Sequence, residues 1–238
     1  MTPLLLVIAG VVALVAGWLL MRRLGPGARI GRILAATPVV PVARAVEMAA
    51  QGAPRYVAVG GRICSGQEFE DDAGQPLVFR RTRLELRRGS TWTAIEDRRE
   101  AVPFEVAGGL TSMAVDAEEL GVGLVVVTRG SEGTAGEIPD RVPPGTDPAT
   151  PVRVRVEQVS SIDHALVLGV PSTDPERGPI LRPGLGRPLV LTTLEPAEAM
   201  RLLAAGRRGA TLAISGLLAG GLVAVGAGLL WAIVDAVV

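Results

Sequence analysis

The chain has 238 residues with 24 arginines, 24 carboxylates and no lysine, so its formal charge is zero and nothing global asks for nucleic acid or an acidic substrate. The missing lysine leaves no side-chain amine for Schiff-base catalysis, and a single cysteine (Cys64) with a single histidine (His164) excludes an intrachain disulfide and any Cys/His zinc cluster within the chain. Hydrophobic residues make up 48% of the chain and aromatics only 3%, and this aliphatic excess piles up at the two ends.

Residues 4–21, "LLLVIAGVVALVAGWLLM", carry no charge. As a helix they reach about 27 Å, close to the hydrocarbon thickness of a bilayer. Trp18 lies near one end, where an interfacial aromatic belongs. The run has no basic segment before it and no small-x-small cleavage site before Arg22, so residues 1–21 are expected to be a retained transmembrane helix rather than a cleaved signal. Residues 22–54 read as a juxtamembrane segment rich in Gly and Pro, followed by a short helix over 42–50 that Gly52 and Pro54 close.

From Tyr56 the pattern turns to strands. "YVAVGGRI" alternates weakly, and "PLVFRRTRLELRR" (76–88) alternates clearly. "STWTAIEDRR" follows across Gly89-Ser90, which predicts a hairpin. "VPFEV" and "LTSMAV" predict short strands around "AGG", and the β-branched run at 122–130 predicts another. Residues 131–150 read as a loop from their Gly, Pro and acidic content. "PVRVRVEQV" (151–159) is the cleanest alternation, with further strands at "HALVLGVP" and 188–194. "EPAEAMRLLAAGRRG" (195–209) predicts a helix with Glu195 and Glu198 in its first turn and Arg207 and Arg208 near its end, as the helix dipole favours. Residues 209–234 are again uncharged, and only three residues follow Asp235, so 209–238 is expected to be a second span with a short tail. The expected fold class is α+β: a mainly β, membrane-tethered domain over 55–208 between two transmembrane helices.

Arginine flanks set the expected orientation. Arg22, Arg23, Arg29 and Arg32 follow the first run, Arg201, Arg207 and Arg208 precede the second, and neither outer tail is basic. The positive-inside rule then puts the middle of the chain in the cytoplasm, with the plasma membrane as the expected location. Small residues recur four apart at Ala9, Ala13 and Gly17 and at Gly216, Gly220, Ala224 and Gly228. Such stripes permit close helix packing in lipid, either between the two spans or between chains as a homo-oligomer. No ionisable residue lies inside either run, which argues against ion transport through them.

Motifs for covalent or metal chemistry are weak. "SSIDH" (160–164) contains serine, aspartate and histidine, but as sequence neighbours beside a strand rather than a convergent triad. "EFEDD" (68–72) reads as a solvated turn, and "ERGPILRPGLGRP" lacks the Lys-Ser/Thr of a phosphate loop. No catalytic residue, cofactor or metal site is expected. The largest charge feature is the arginine run, in which alternation puts Arg81, Arg83 and Arg87 on one face and Arg80 and Arg88 on the other. One arginine face could meet anionic headgroups or an acidic partner, or pair with Glu85, Glu96, Asp97 and Glu100 of the hairpin. Trp92 and Phe104, beside Pro103, are either core or exposed. Arg81, Arg83, Arg87, Trp92 and Phe104 are therefore the candidate partner-binding residues.

The order of the pieces resembles the GIDE family, whose membrane-adjacent module is called the beside-a-membrane, or BAM, domain. The matching stretches are the N-terminal run, "YVAVGGRI", "QPLVFRRTRLELRR", "TWTAIEDRREAVPFEV", the acidic Pro/Gly segment leading into "PVRVRVEQV", and "RPLVLTTLEPAEAMRLLAAGRRG". The resemblance implies a membrane-side binding or scaffolding module with the bilayer and a protein as partners. Ligases of this family add a RING, which needs eight Cys/His ligands for two zinc ions. One cysteine and one histidine cannot supply them, so no zinc-dependent ligase mechanism carries over. The expected function is non-catalytic display of this module, or service as a subunit of a membrane protein-modification or proteolysis system.

Overall fold

A computed structural model describes the backbone of residues 2–52, 54–204 and 208–237, and the side chains of 5–21, 27–52, 54–204 and 212–231. The chain divides into two units, 1–33 with 200–238 and 34–199. It is α+β, as expected, with strands confined to the second unit.

Helix α1 spans Thr2–Ala36 without a break. The Gly- and Pro-bearing juxtamembrane segment after Met21 continues α1 as helix as far as Ala36, through Gly25-Pro26-Gly27. Helix α3 (Pro196–Ala204) and helix α4 (Arg208–Val237) follow the β unit. Among the described residues, Leu212–Trp231 is the one helical stretch long and apolar enough to cross a membrane, and Leu5–Met21 is a shorter apolar stretch. In the first unit α1 and α4 run antiparallel and touch through glycines. A β-carbon at Gly10 would lie 2.7 Å from the Gly221 carbonyl oxygen, and one at Gly17 would lie 3.1 Å from Leu218 Cδ2. Further along, Gly31 faces Met200 and Leu203.

The β unit opens with β1 (Val39–Val40) and helix α2 (Val42–Gln51), which Gly52 ends in a left-handed conformation, its N–H donating to the Ala49 carbonyl. Strand β2 (Val57–Cys64) pairs antiparallel with β6 (Phe104–Gly108) on one side and with β11 (His164–Asp174) on the other. Strand β6 pairs with β7 (Thr111–Val115), β7 runs parallel to β12 (Gly178–Arg182), and β12 returns to β11. These five contacts close a ring. Its order, β2-β6-β7-β12-β11, with one parallel contact, is the Greek-key connectivity of OB-type barrels. Strands β13 (Val190–Thr192) and β8 (Leu124–Val125) extend the sheet from β11, and β1 lies parallel on β2.

The barrel is filled by alternate residues of its strands: Val57, Val59 and Ile63 from β2, Phe104 and Val106 from β6, Met113 and Val115 from β7, Val167 from β11 and Leu181 from β12. Helix α2 contacts all five ring strands and adds Val42, Ala45, Met48 and Ala49 to the same core. Its apolar face therefore plugs the barrel rather than standing beside it. Burying residues of this size contributes roughly 1.5–3 kcal/mol for each large side chain.

The second sheet is built on a long strand, β4 (Pro76–Arg88). Strand β10 (Pro151–Ser160) lies along one side of it, with β9 (Arg129–Thr134) beyond, while β5 (Thr91–Ala101) and the short β3 (Phe69–Glu70) lie along the other. The β4–β5 hairpin turns at Gly89, whose φ of 61° suits glycine. One face of this sheet carries a small core of Leu84, Leu86 and Val152. Residues 135–142 cover it with Ala135, Ile138 and Val142, in two 3-10 turns. Thus the segment expected as loop over 131–150 begins inside a strand and is pinned to the sheet, and only Leu124–Val125 of the apolar run 122–130 is a strand in its own right.

Candidate functional site

The opposite face of the second sheet is charged, and strand register decides which charges meet. Glu85 of β4 lies opposite Arg153 of β10, Arg83 opposite Arg155, and Arg81 opposite Glu157. On the other side Arg83 lies opposite Asp97 and Arg81 opposite Arg99 of β5. The ion pairs of Arg81, Arg83 and Arg155 run diagonally, whereas Arg153 meets Glu85 directly across the ladder. Arg81 holds Asp97 through two hydrogen bonds, Nε to Oδ1 at 2.8 Å and Nη2 to Oδ2 at 2.6 Å. Arg83 Nη2 donates to Glu157 Oε1 at 2.6 Å. Arg153 Nε donates to Glu85, and Arg155 approaches the same carboxylate at 3.7 Å. The bidentate bond from Arg81 holds the Asp97 carboxyl below its ordinary range.

The candidate residues separate on this frame. Arg81 and Arg83 are spent on carboxylates of neighbouring strands. Trp92 is half-buried beneath the Arg153 guanidinium, 4.3 Å from the ring centroid. Phe104 is 2% exposed and belongs to the barrel core, because its strand faces it inward at ring closure. Arg87 is exposed at the hairpin end, with Nε donating to the Gly89 carbonyl at 3.3 Å. Sequence reasoning passed over Arg98 and Arg99 of β5, which have no ion-pair partner among the described residues; Arg98 lines a polar pocket of about 230 Å³ with Arg80, Glu96, Glu100 and Arg141. The signal was present: β5 reads "EDRRE", whose acids pair with Arg81, Arg80 and Arg141 and leave its own arginines over.

In the helical unit the contact line is displaced by one position from part of the expected stripe. Gly10, Gly17, Gly221 and Gly228 are buried, Ala13 and Ala224 partly so, whereas Ala9, Gly216 and Gly220 are exposed. A β-carbon at Gly216 or Gly220 would meet nothing within 4 Å. The buried glycines recur every seven residues, so the seam follows a heptad rather than a strict four-residue repeat.

The remaining motifs have structural partners. Ser160 Oγ donates to the Pro76 carbonyl, and Asp163 Oδ2 accepts from the Ser160 amide, while His164 begins β11 opposite Arg62. The three residue types of "SSIDH" do not converge. Asp71 of the acidic stretch accepts from the Ala73 and Gln75 amides at 2.9 Å, the Gln75 bond chiefly holding its carboxyl low. Among the described residues no three of His, Cys, Asp and Glu gather as a metal-ligand set. A surface groove of about 640 Å³ runs past Cys64, Gln67, Glu105, Ala114 and Arg177 at the sparse parallel contact between β7 and β12. Comparison with protein-family models, with curated proteins and with solved structures gave no match to this chain.

Proposed function

We propose that the chain is a two-span membrane protein that holds a β-rich binding module in the cytoplasm beside the plasma membrane and presents it to a protein partner. The observation that carries this reading is the solvent the helical unit demands. After α1 and α4 have packed on one another, Leu5, Val12, Trp18, Leu212, Leu222, Val223, Leu230 and Trp231 still face outward. Aliphatic surface on every free side of a helix pair is stable in lipid and unstable in water. Leu5–Met21 is short for a span on its own, but α1 continues as helix past it, so the stretch can cross with its polar flank emerging at once. Kinship with the GIDE/BAM module is part of this proposal and rests on the motif order of the sequence.

Binding is the activity that the β unit supports best. The outer edges of β5 and β9 each pair on one side only, which leaves backbone groups open to strand addition. The test is fractionation of the full chain followed by photo-crosslinking from position 99 in native membranes. We expect retention in the pellet after carbonate washing, release by detergent, and a discrete crosslinked protein. Release by carbonate alone would refute the spans; membrane retention with no crosslinked protein from position 99, or from a second probe at position 131 on β9, would refute the partner.

A further inference from the structure

We infer that the free edge of β9 pairs with the same edge of a second copy of this chain, antiparallel about a two-fold axis at Ser131, so that the charged sheets of two copies join into one. This inference rests on the binding reading above: it assigns the β9 edge to self-association and leaves the β5 edge to another protein. The hydrogen-bond phase of β9 fixes which backbone groups are free. The Ala135 amide donates to the Thr150 carbonyl at 2.8 Å, which continues the β9–β10 ladder past Thr134 and Pro151. Antiparallel ladders alternate, so the odd-numbered residues of β9 bond to β10 and the even-numbered ones turn their N–H and C=O outward. Thr134 agrees, since its amide donates to Glu137 Oε1 at 3.2 Å instead of crossing to Pro151. Gly130 and Glu132 are therefore the residues whose backbone groups face away from β10, and both are exposed. Pairing centred on Glu132 would set that carboxylate opposite its own copy, which repels. Pairing centred on Gly130 would leave Glu132 opposite Thr128, beyond the start of β9. An axis between residues would set an outward amide against an inward one. With the axis at Ser131, Gly130 lies opposite Glu132 on both sides, and every outward N–H and C=O of these residues meets a partner.

The same register matches the charges. Gly130 and Glu132 lie opposite Arg155 and Arg153 of β10, on the charged face of the sheet. One carboxylate, Glu85, serves both of those arginines: it accepts from Arg153 and stands 3.7 Å from Arg155, whose side chain is 40% exposed. Glu132 is exposed and stands outside every ion pair among the described residues. In the paired state the second copy's Glu132 faces Arg155 across Gly130. Two strand spacings, roughly 10 Å, separate their Cα atoms, which is within the joint reach of the two side chains, and glycine puts no side chain between them. A groove of about 460 Å³, lined by Gly130, Glu132, Arg153 and Arg155, receives the incoming carboxylate. Each chain carries both halves of this bond next to the axis, so symmetry makes it twice, which selects a second copy over an unrelated strand. The β5 edge has no such match: a bulge interrupts it opposite Leu84 and Glu85, and the exposed Arg98 and Arg99 repel a copy of themselves.

The test uses the full chain in native membranes, in a Cys64→Ser background. Ser131→Cys brings two thiols together at the axis, in a non-hydrogen-bonded pair whose Cα separation of about 4.5 Å suits a disulfide. Mild oxidation should give a homodimer on a non-reducing gel, identified by the mixed band from chains carrying tags of two lengths. Arg129→Cys, whose copy lies roughly 14 Å away along the strand, should stay monomeric. Adding Glu132→Arg or Arg155→Glu to the Ser131→Cys chain should each slow the crosslink about tenfold, and the two together should restore it to within about twofold of the parent. No dimer from Ser131→Cys, an equal dimer from Arg129→Cys, or a double charge swap that stays slow would overturn the inference. Capture of a different protein from position 131 would overturn self-pairing while upholding the binding reading. A homodimer at position 131 with no protein captured from position 99 would uphold self-pairing and refute the other partner.

Discussion

Tyr56 is the only tyrosine, which makes its titration visible without substitutions. Its hydroxyl donates to the Pro188 carbonyl at 2.6 Å and reaches the Leu168 carbonyl at 3.2 Å, and burial pushes its pKa up to about 12 against the smaller pull of Arg187. Ultraviolet titration of the folded chain should therefore show tyrosinate forming near pH 12, and a midpoint near 10 would mean that the ring is in water. Because folding raises this pKa, the stabilisation is full below the unfolded value near pH 10 and disappears as pH climbs through the folded value. Asp97 has the opposite sign. Its bond to Arg81 lowers the folded pKa, so the stabilisation is present above about pH 4 and is lost as pH falls through the folded value. Asp97→Asn should flatten the acid limb of thermal stability while costing no more than about 1 kcal/mol at neutral pH, since the pair is partly solvated. An unchanged acid limb would show that the bidentate bond does not form in solution.

At the level of elements, the helix seam offers a sharp discrimination between neighbouring glycines. A β-carbon at Gly17 would lie 3.4 Å from Leu217 Cβ, close to the separation across a disulfide. In a Cys64→Ser background, Gly17→Cys/Leu217→Cys should oxidise to an intrachain crosslink, and Gly17→Cys/Gly216→Cys should not; gel mobility after mild oxidation reads both. Adding Gly221→Leu, which drives a side chain into Gly10 and Leu14, should slow the crosslink about tenfold or more, as overpacking of 1–3 kcal/mol implies. Gly216→Leu, on the open side, should leave it intact. The same contrast marks what sequence could tell. Four-residue spacing revealed that the helices are smooth, but it could not choose between adjacent faces, because that choice belongs to the partner helix. Strands β4 and β10 were legible because each has one solvated and one covered face, which writes alternation into the sequence. Strand β9, "RGSEGT", has no such pattern and is a strand because β10 offers it an edge. Strand β12 was hidden among prolines and glycines, and it exists because it completes the barrel. The Gly25-Pro26-Gly27 run, unfavourable to helix by propensity, nevertheless lies within α1. Of the site, the division of arginines between two sheet faces was readable from alternation; the fate of Phe104 was not, since a Pro-Phe pair does not say which way ring closure will turn it.

For the whole molecule, orientation is the property on which the cytoplasmic assignment stands, and one residue reports it. Cys64 is the only thiol, it is exposed at the end of β2, and it belongs to the β unit rather than the helices. No engineered cysteine is therefore needed. The seven arginines that flank the two apolar stretches in sequence, on the side of the β unit, favour retention of the β unit that connects α1 to α3 on the cytoplasmic side. The reverse arrangement would carry these charges across the membrane against the potential, at about 2.3 kcal/mol for each charge per 100 mV, in addition to the cost of their dehydration. A membrane-impermeant maleimide added to intact cells should therefore leave Cys64 unmodified, while the same reagent should label it in inside-out vesicles and in detergent. Labelling from outside sealed cells would place the β unit on the far side and overturn the arginine argument. Protection in inside-out vesicles, with labelling restored after detergent, would place it there equally. Protection in every preparation, detergent included, would mean that a bound partner covers the groove beside Cys64, and adding mild denaturant before the reagent would then expose the thiol on whichever side it lies.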